Sequence, residues 1–405
     1  MITTTIVAGL VAAPLFSAPV LQDDAPSTSW TIHADTLYVS PGKVVEDALI
    51  RVQDGKILSV TPGGSASDSL HAVAVTAGMI DASARIGAEG SVEESSEVIT
   101  RLSVLDSIDP FDPQWLRQAR AGVTTAHVTP VDRNVIGGRT AVVKTAGKPS
   151  VEARQLRGRP ILRGAQGSLP SVGNSPAFGQ PTTFFNRRPT TRMGVEWEWR
   201  KSFFDAAMAE RFPEAEFEGA DVLRAVLAGE IALSVDAWTT ADIRTAVFVV
   251  EEMQREGLGN IDMIVDAAAE AWIEPELLVR SKASVVLPPH PANGRTNDGA
   301  FMAWKTAADL VERGVPVALS AHGDTRLSGR LSAQVAFAMR GGLSFQDGLA
   351  AVTTVPAKML GITDRVGTVE VGKDADLVLW TGTPFELTSG ITGVLVGGEL
   401  VRDPR

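Results

Sequence analysis

Residues 231–288 read IALSVDAWTTADIRTAVFVVEEMQREGLGNIDMIVDAAAEAWIEPELLVRSKASVVLP, and the alternation within this stretch decides the fold. Three short apolar runs, IALSVD (231–236), DMIVDA (262–267) and ASVVLP (283–288), are separated by helical patterns. Near-continuous apolar runs, unlike the in-out alternation of a half-exposed strand, are what parallel strands covered on both faces require. The first helix is well punctuated: Thr240 can cap ADIRTAVFVVEEMQRE and Gly257 ends it. The same texture extends outward to GVTTAHV (122–128) and to VPVALS (315–320), which follows a helix closed by Arg313 and Gly314. About eight such units between residues 76 and 355 suit a closed (β/α)8 TIM-like barrel better than an open sheet.

The two ends of the chain have another texture. Residues 33–60, HADTLYVSPGKVVEDALIRVQDGKILSV, are short alternating runs joined by turn residues, with Asp54-Gly55 as a hairpin signal. Residues 375–401, ADLVLWTGTPFELTSGITGVLVGGELV, repeat that pattern. Segments 29–75 and 356–405 are therefore expected to complete one small β-sandwich beside a barrel spanning 76–355. The Gly- and Pro-rich sequence from Gly158 to Thr191, with Arg157, Arg159, Arg163, Arg187, Arg188 and Arg192 in and around it, reads as a long excursion at one barrel mouth.

Composition narrows the chemistry. With 405 residues and 44% hydrophobic content the chain can bury one large core and a smaller one. A net charge of −11 gives none of the basic footprint that a nucleic-acid binder needs. The absence of cysteine excludes disulfides, thiolate metal sites and a cysteine nucleophile, leaving carboxylates, hydroxyls, amines and five histidines. No Gly-x-Ser-x-Gly elbow or phosphate-binding P-loop is present. The apolar run Ile6–Leu21 is too short and too Pro-interrupted to span a bilayer, so residues 1–28 read as a signal peptide and leader. Export to the periplasm or cell envelope is then expected; the first Lys or Arg is Lys43, and a buried N-terminal strand in a cytoplasmic protein is the alternative.

Several stretches together resemble the amidohydrolase superfamily, within it the imidazolonepropionase-like branch. They are AGMIDASARIG (77–87), GVTTAHVTPVDRNVIGG (122–138), RRPTTRMGVEWEWRKSF (187–203), VPAKMLGITDRVGTVEVGKDADLVLWTGTPFE (355–386) and ITGVLVGGELV (391–401). The resemblance implies a metal-dependent hydrolase whose ligands sit at barrel strand ends, with a histidine pair one residue apart after the first strand. Here Ser83 and Arg85 stand in that pair's place. A serine hydroxyl is a poor Zn²⁺ ligand and a guanidinium is none. By the same alignment Asp236 and Asp266 fall where later ligand histidines are expected, with Trp238 as a companion position. Asp324, in Ser320-Ala-His-Gly-Asp324, falls where the family places its acid/base aspartate.

Asp236, Asp266 and Asp324 are thus expected to point into one cavity with Arg85 and His322. Bunched anions raise one another's pKa unless a cation joins them, and Arg85 is the cation at hand. The alternative is a harder divalent ion such as Mg²⁺, Ca²⁺ or Mn²⁺ held by Asp236, Asp266 and Asp324. Lys144 either lines the mouth, as a lysine that is carboxylated in some relatives, or forms a salt bridge. His33 and His71 read as surface residues of the sandwich, His127 and His290 as loop hydrogen-bonders. Trp197 and Trp199 are two apart and cannot share a helical face, so one is core and the other a lid contact. Two functions follow. One is a catalytically impaired amidohydrolase-like domain without a metal, binding a small ligand, forming a homo-oligomer or pairing with an active paralogue. The other is a hydrolase of carbon-nitrogen bonds in cyclic or linear amides that uses Asp324 and an altered metal site.

Overall fold

The computed structural model describes residues 29–404 apart from 65, 67–68, 89–92, 94–95, 132–133, 167–188, 190, 210, 291–300 and 327–328. The expected leader 1–28 and most of the Gly- and Pro-rich excursion, with Arg187 and Arg188, lie outside the described residues. Among the described residues no helix is long and apolar enough to cross a membrane.

The chain opens with β1 (Ser29–Ser40), β2 (Lys43–Gln53), β3 (Lys56–Pro62) and β4 (Leu70–Ala77), then enters the second body through β5 (Met79–Ala84) and β6 (Val123–Val128). Next come β7 (Ile136–Arg139), β8 (Ala141–Lys144), β9 (Gln155–Leu156) and β10 (Ile161–Ala165). Strands β11 (Ala232–Asp236), β12 (Met263–Asp266), β13 (Ser284–Leu287) and β14 (Val317–Leu319) alternate with helices such as Thr240–Arg255 and Pro275–Ser281. The chain ends with β15 (Leu377–Trp380), β16 (Ile391–Val396) and β17 (Glu399–Arg402).

The terminal segments share one seven-stranded sheet, ordered β17-β16-β15-β4-β1-β2-β3, and not the two facing sheets of a sandwich. The reason is β4, which pairs parallel with β1 and antiparallel with β15, so both ends of the chain enter one ladder. The sheet curls over a core that includes Ile32, Leu37, Ile50, Val75, Leu377 and Leu395. Its β2-β3 and β16-β17 turns meet, since a Cβ on Gly55 would lie 2.8 Å from the Gly397 carbonyl oxygen, and Trp30 Nε1 of β1 donates to the Gly398 carbonyl at 3.0 Å.

The second body departs from an eight-fold parallel barrel. Strands β10 to β14 pair parallel in order, and β5 pairs parallel with β6 in a separate sheet. Between the two sheets runs Ile136–Lys144, broken at Thr140, antiparallel to β10 through β7 and to β6 through β8. The Gly-rich stretch after β6 carries no amphipathic helix that would return the chain for a parallel pairing. On the far side, β14 and β5 have no ladder; Ser320 Oγ, just past β14, donates to Asp81 Oδ1 at 2.7 Å and makes that seam. The apolar run reading holds where it was clearest: β11 and β12 are buried at every residue and lie side by side.

The antiparallel course of β8 takes Lys144 to the start of β6, opposite Thr125, and away from the strand ends that face the mouth. There it pairs with Asp376 and, at 3.1 Å, with Asp374. Asp374 also accepts from Lys56 at 2.7 Å and from Arg365 at 2.9 and 3.0 Å. Burial alone would raise the Asp374 carboxyl, but the Lys144, Arg365 and Lys56 cations outweigh it and pull it from 3.8 to about 2. Replacing this carboxylate by Asp374→Asn is expected to cost about 3–5 kcal/mol in urea unfolding at neutral pH. Because the folded-state value is depressed, the stabilisation is complete above 3.8 and lost as pH falls through about 2. The stability gap between wild type and variant should narrow over that window; a gap that does not change with pH would show that Asp374 gains nothing from its cations.

Candidate functional site

Parallel pairing sets Asp236 of β11 directly beside Asp266 of β12, at the carboxyl ends of both strands. The two residues are each 1% exposed, and like charges so placed need a cation. Arg163, on β10 and in register with Ser234, supplies it. Its guanidinium donates to Asp236 Oδ2 at 2.8 Å, to Ser234 Oγ at 3.1 Å and to Asp266 Oδ2. Ser83, on β5, donates to the same Asp266 oxygen at 2.7 Å, and the Ala267 amide donates to Asp266 Oδ1 at 2.7 Å. Burial pushes Asp266 up, yet Arg163, His322 and the Ser83 hydroxyl outweigh it, so the carboxyl lies below its ordinary value.

Asp81 is the second buried carboxylate of this end. It accepts from Ser320 Oγ at 2.7 Å and from the amides of Gly323 at 3.2 Å and of Ser83 and Ala321 at 3.3 Å. Burial dominates over these four bonds and raises its carboxyl to about 6. His127 lies within β6 and not after it; its ring bonds the Ala82 carbonyl and Thr140 Oγ1, both at 2.8 Å. Burial lowers the imidazole to about 4, so it is neutral at physiological pH.

The expected site residues therefore divide. Ser83, Asp236 and Asp266 come together, with Arg85 at the edge, its NH2 3.6 Å from Asp236 Oδ2. The bridging cation is Arg163 and not Arg85, because Arg163 reaches both carboxylates from a neighbouring strand. His322 sits in a left-handed turn with φ 49°, its ring edge-on to Trp238 at 6.1 Å, close enough to lower Asp266. Asp324 does not join them. The left-handed turn at His322 and Gly323 carries it beyond the end of β14 to Arg326, whose Nε lies 2.9 Å from Asp324 Oδ2, and that side-chain bond holds the carboxyl below its ordinary value. Lys144 stands with Asp374 and Asp376, as the salt-bridge reading had it.

Other readings resolve simply. Trp199 is 2% exposed and donates to the Ala165 carbonyl at 3.2 Å, backing β10, while Trp197 is 57% exposed. His290 packs beside Trp304 and Phe337, with its backbone amide bonded to Gln334. Sequence reasoning missed Arg163, Ser234, Asp81 and Ser320. The one signal for Arg163 was the apolar Ile161-Leu162 pair after Pro160, interrupted by the arginine itself.

A divalent metal does not fit this donor set. The oxygens that Asp236 and Asp266 turn toward each other both accept from Arg163. An ion about 2.0–2.6 Å from those oxygens would occupy the guanidinium's place and be repelled by it. Asp324, the third carboxylate of the expected metal set, is bound elsewhere.

Residues 247–401 match the family model described as the amidohydrolase family. Over 391 residues the chain is 25% identical to amidohydrolase tasK of Hapsidospora irregularis, covering 88% of this chain and 37% of that relative's length. A solved amidohydrolase from Thermotoga maritima MSB8 is similar with a TM-score of 0.77 at 26% identity, over 93% of this chain and 99% of that one. An adenosine deaminase from Xanthomonas campestris, solved with bound zinc, shares the fold at a TM-score of 0.52 and 17% identity, over 93% of each chain.

If Arg163 is what makes the two aspartates tolerable, Arg163→Met should destabilise the fold by about 3–5 kcal/mol in chemical denaturation. Adding Asp266→Asn to that variant should cost less than Asp266→Asn alone, with a coupling of about 1–3 kcal/mol in the double-mutant cycle. Additive effects would show that the pair is an accident of proximity.

Proposed function

We propose that this chain, a member of the amidohydrolase family through residues 247–401, carries an arginine-aspartate cluster in place of that family's metal centre. It then works as a small-ligand-binding domain or as the partner of an active relative, and not as an efficient hydrolase. The observation that carries this reading is the Arg163 guanidinium held by both Asp236 and Asp266.

Family alignment puts Ser83 and Arg85 at the paired histidine positions of the imidazolonepropionase-like branch, with Asp236 and Asp266 at the later ones. The contacts support a concerted exchange: Ser83 and Asp266 bond each other, and Arg85 and Arg163 both approach Asp236. Without a metal, attack on an amide needs another way to activate water, whose pKa is about 15.7. Asp324 is bound by Arg326, and Asp81 has four donors on its oxygens, so neither is placed as a free general base. What these residues do is hold the strand ends together and present a fixed charge pattern beneath Arg85, which is 25% exposed at its side chain.

Protein expressed with Zn²⁺, Mn²⁺ and Mg²⁺ available, then desalted, is expected to show no metal-dependent turnover on a panel of linear amides and lactams. Any metal it retains should be unchanged by Asp236→Asn. Turnover abolished by Asp324→Asn, or metal lost in a folded Asp236→Asn protein, would overturn the reading in favour of a working hydrolase of carbon-nitrogen bonds.

A further inference from the structure

A second cluster of potential ligands lies on the seven-stranded sheet, on residues that the barrel site does not use. Strands β1 and β4 run parallel with His33 in register with His71. Their neighbours Ile32, Ala34, Leu70 and Ala72 are buried, so the two-residue period of a strand turns His33, Asp35 and His71 to the outer face. The two imidazole rings lie 5.3 Å apart, centroid to centroid. His71 Nε2 is 2.7 Å from Asp35 Oδ1, and His33 Nε2 is 2.6 Å from Asp47 Oδ1. Asp47 comes from β2, where Ala48 pairs with Ala34 and Glu46 with Thr36, and its φ of 51° departs from the extended strand.

One ligand atom each from His33, Asp35 and His71 fall within 4.8 Å of one another. In a tetrahedral site with bonds near 2.0–2.2 Å, such atoms stand roughly 3.4 Å apart, so a closure of at most about 1.4 Å suffices. Side-chain exposures of 21% for His33, 49% for Asp35 and 56% for His71 leave room for that rotation. With neutral imidazoles the group offers two nitrogens and two carboxylates and attracts a cation. Mixed imidazole and carboxylate donors suit zinc, nickel or copper over magnesium or calcium.

We propose that His33, Asp35 and His71 form a surface site for a zinc-class divalent ion, with Asp47 steering the His33 imidazole. The site stands on the sheet register alone and is independent of the barrel reading. Sheet geometry supplies what a metal needs: three donors from two hydrogen-bonded strands whose spacing is fixed by the ladder. The second carboxylate on His33 then does for this ligand what outer partners do in metal sites generally, setting ring orientation and basicity.

Zn²⁺ titrated calorimetrically into the full chain, after treatment with EDTA and desalting, tests it. One saturable equivalent is expected for the wild type. Asp47→Asn should weaken binding by about ten-fold or more, and the His33→Asn/His71→Asn double variant should abolish it. Both histidines are surface side chains, and circular dichroism verifies that the double variant is folded. Line broadening of the His33 and His71 ring signals by Cu²⁺, with those of His127 unaffected, reports the location directly. Zinc bound equally by wild type and double variant, or no saturable binding to the wild type, overturns the site. If the retained zinc is instead lost on Asp236→Asn, the metal lies in the barrel and the reading of that cluster falls as well.

Discussion

One guanidinium, that of Arg163, holds the carboxyl ends of β11 and β12 to β10. Parallel pairing leaves no freedom in where Asp236 and Asp266 stand: adjacent strands in register place them side by side, both buried. Two uncompensated carboxylates in that position would each carry several kcal/mol of desolvation cost. Arg163 relieves both at once because its planar fork presents separate nitrogens to separate acceptors, a geometry that a lysine ammonium does not share. Ser83 donates to Asp266 and Ser234 accepts from Arg163, which extends the polar network inside an otherwise apolar layer.

The opposite end of the strand layer follows the same rule with different parts. Asp374 and Asp376, in the connection that leads into β15, meet Lys144 from β8 and tie the curled sheet to the strand layer. The Gly78 amide donates to the Asp376 carbonyl at 2.8 Å at that junction. Gly78 itself must lack a side chain, since a Cβ would fall 2.1 Å from Thr124 Oγ1. The two bodies are thus joined where charged groups are buried and compensated, and the strand register on each side is fixed by the apolar residues that flank them.

What the sequence made legible was decided by pattern purity. The runs 231–236, 262–267, 283–288 and 315–320 are uninterrupted and became β11 to β14. β10 was hidden because Arg163 breaks the apolar run of Ile161–Ala165, and the residue that obscured the strand is the one on which the site depends. Lys144 went to the wrong end in one of its two readings because AVVK gives no hint of direction; only the pairing with β6 shows that β8 runs antiparallel. Asp324 was misplaced because distance along the chain says nothing of a left-handed turn at a histidine, a conformation that non-glycine residues seldom adopt. Ser83, Asp236 and Asp266 were expected together because each ends or adjoins a strand whose limits were clear, and their side chains do meet through Arg163 and the Ser83–Asp266 bond.

Asp81 shows a buried carboxylate used to hold the fold together at this end of the strand layer. Its four donors come from β5 and from the turn after β14, where β5 and β14 share no ladder. Three of its four bonds fall on Oδ1, and three of the four come from Ser320, Ala321 and Gly323 across the seam, while burial raises its carboxyl to about 6. Ser320 carries the same burden, donating to Asp81 and lying 2.6 Å from the Ser83 carbonyl. Buried polar groups of this kind are costly to rearrange, because each bond broken leaves a partner unsatisfied. The strand ends are held by side-chain bonds where backbone pairing fails. Arg85, partly exposed and 3.6 Å from Asp236, lies at the edge of this network and not inside it.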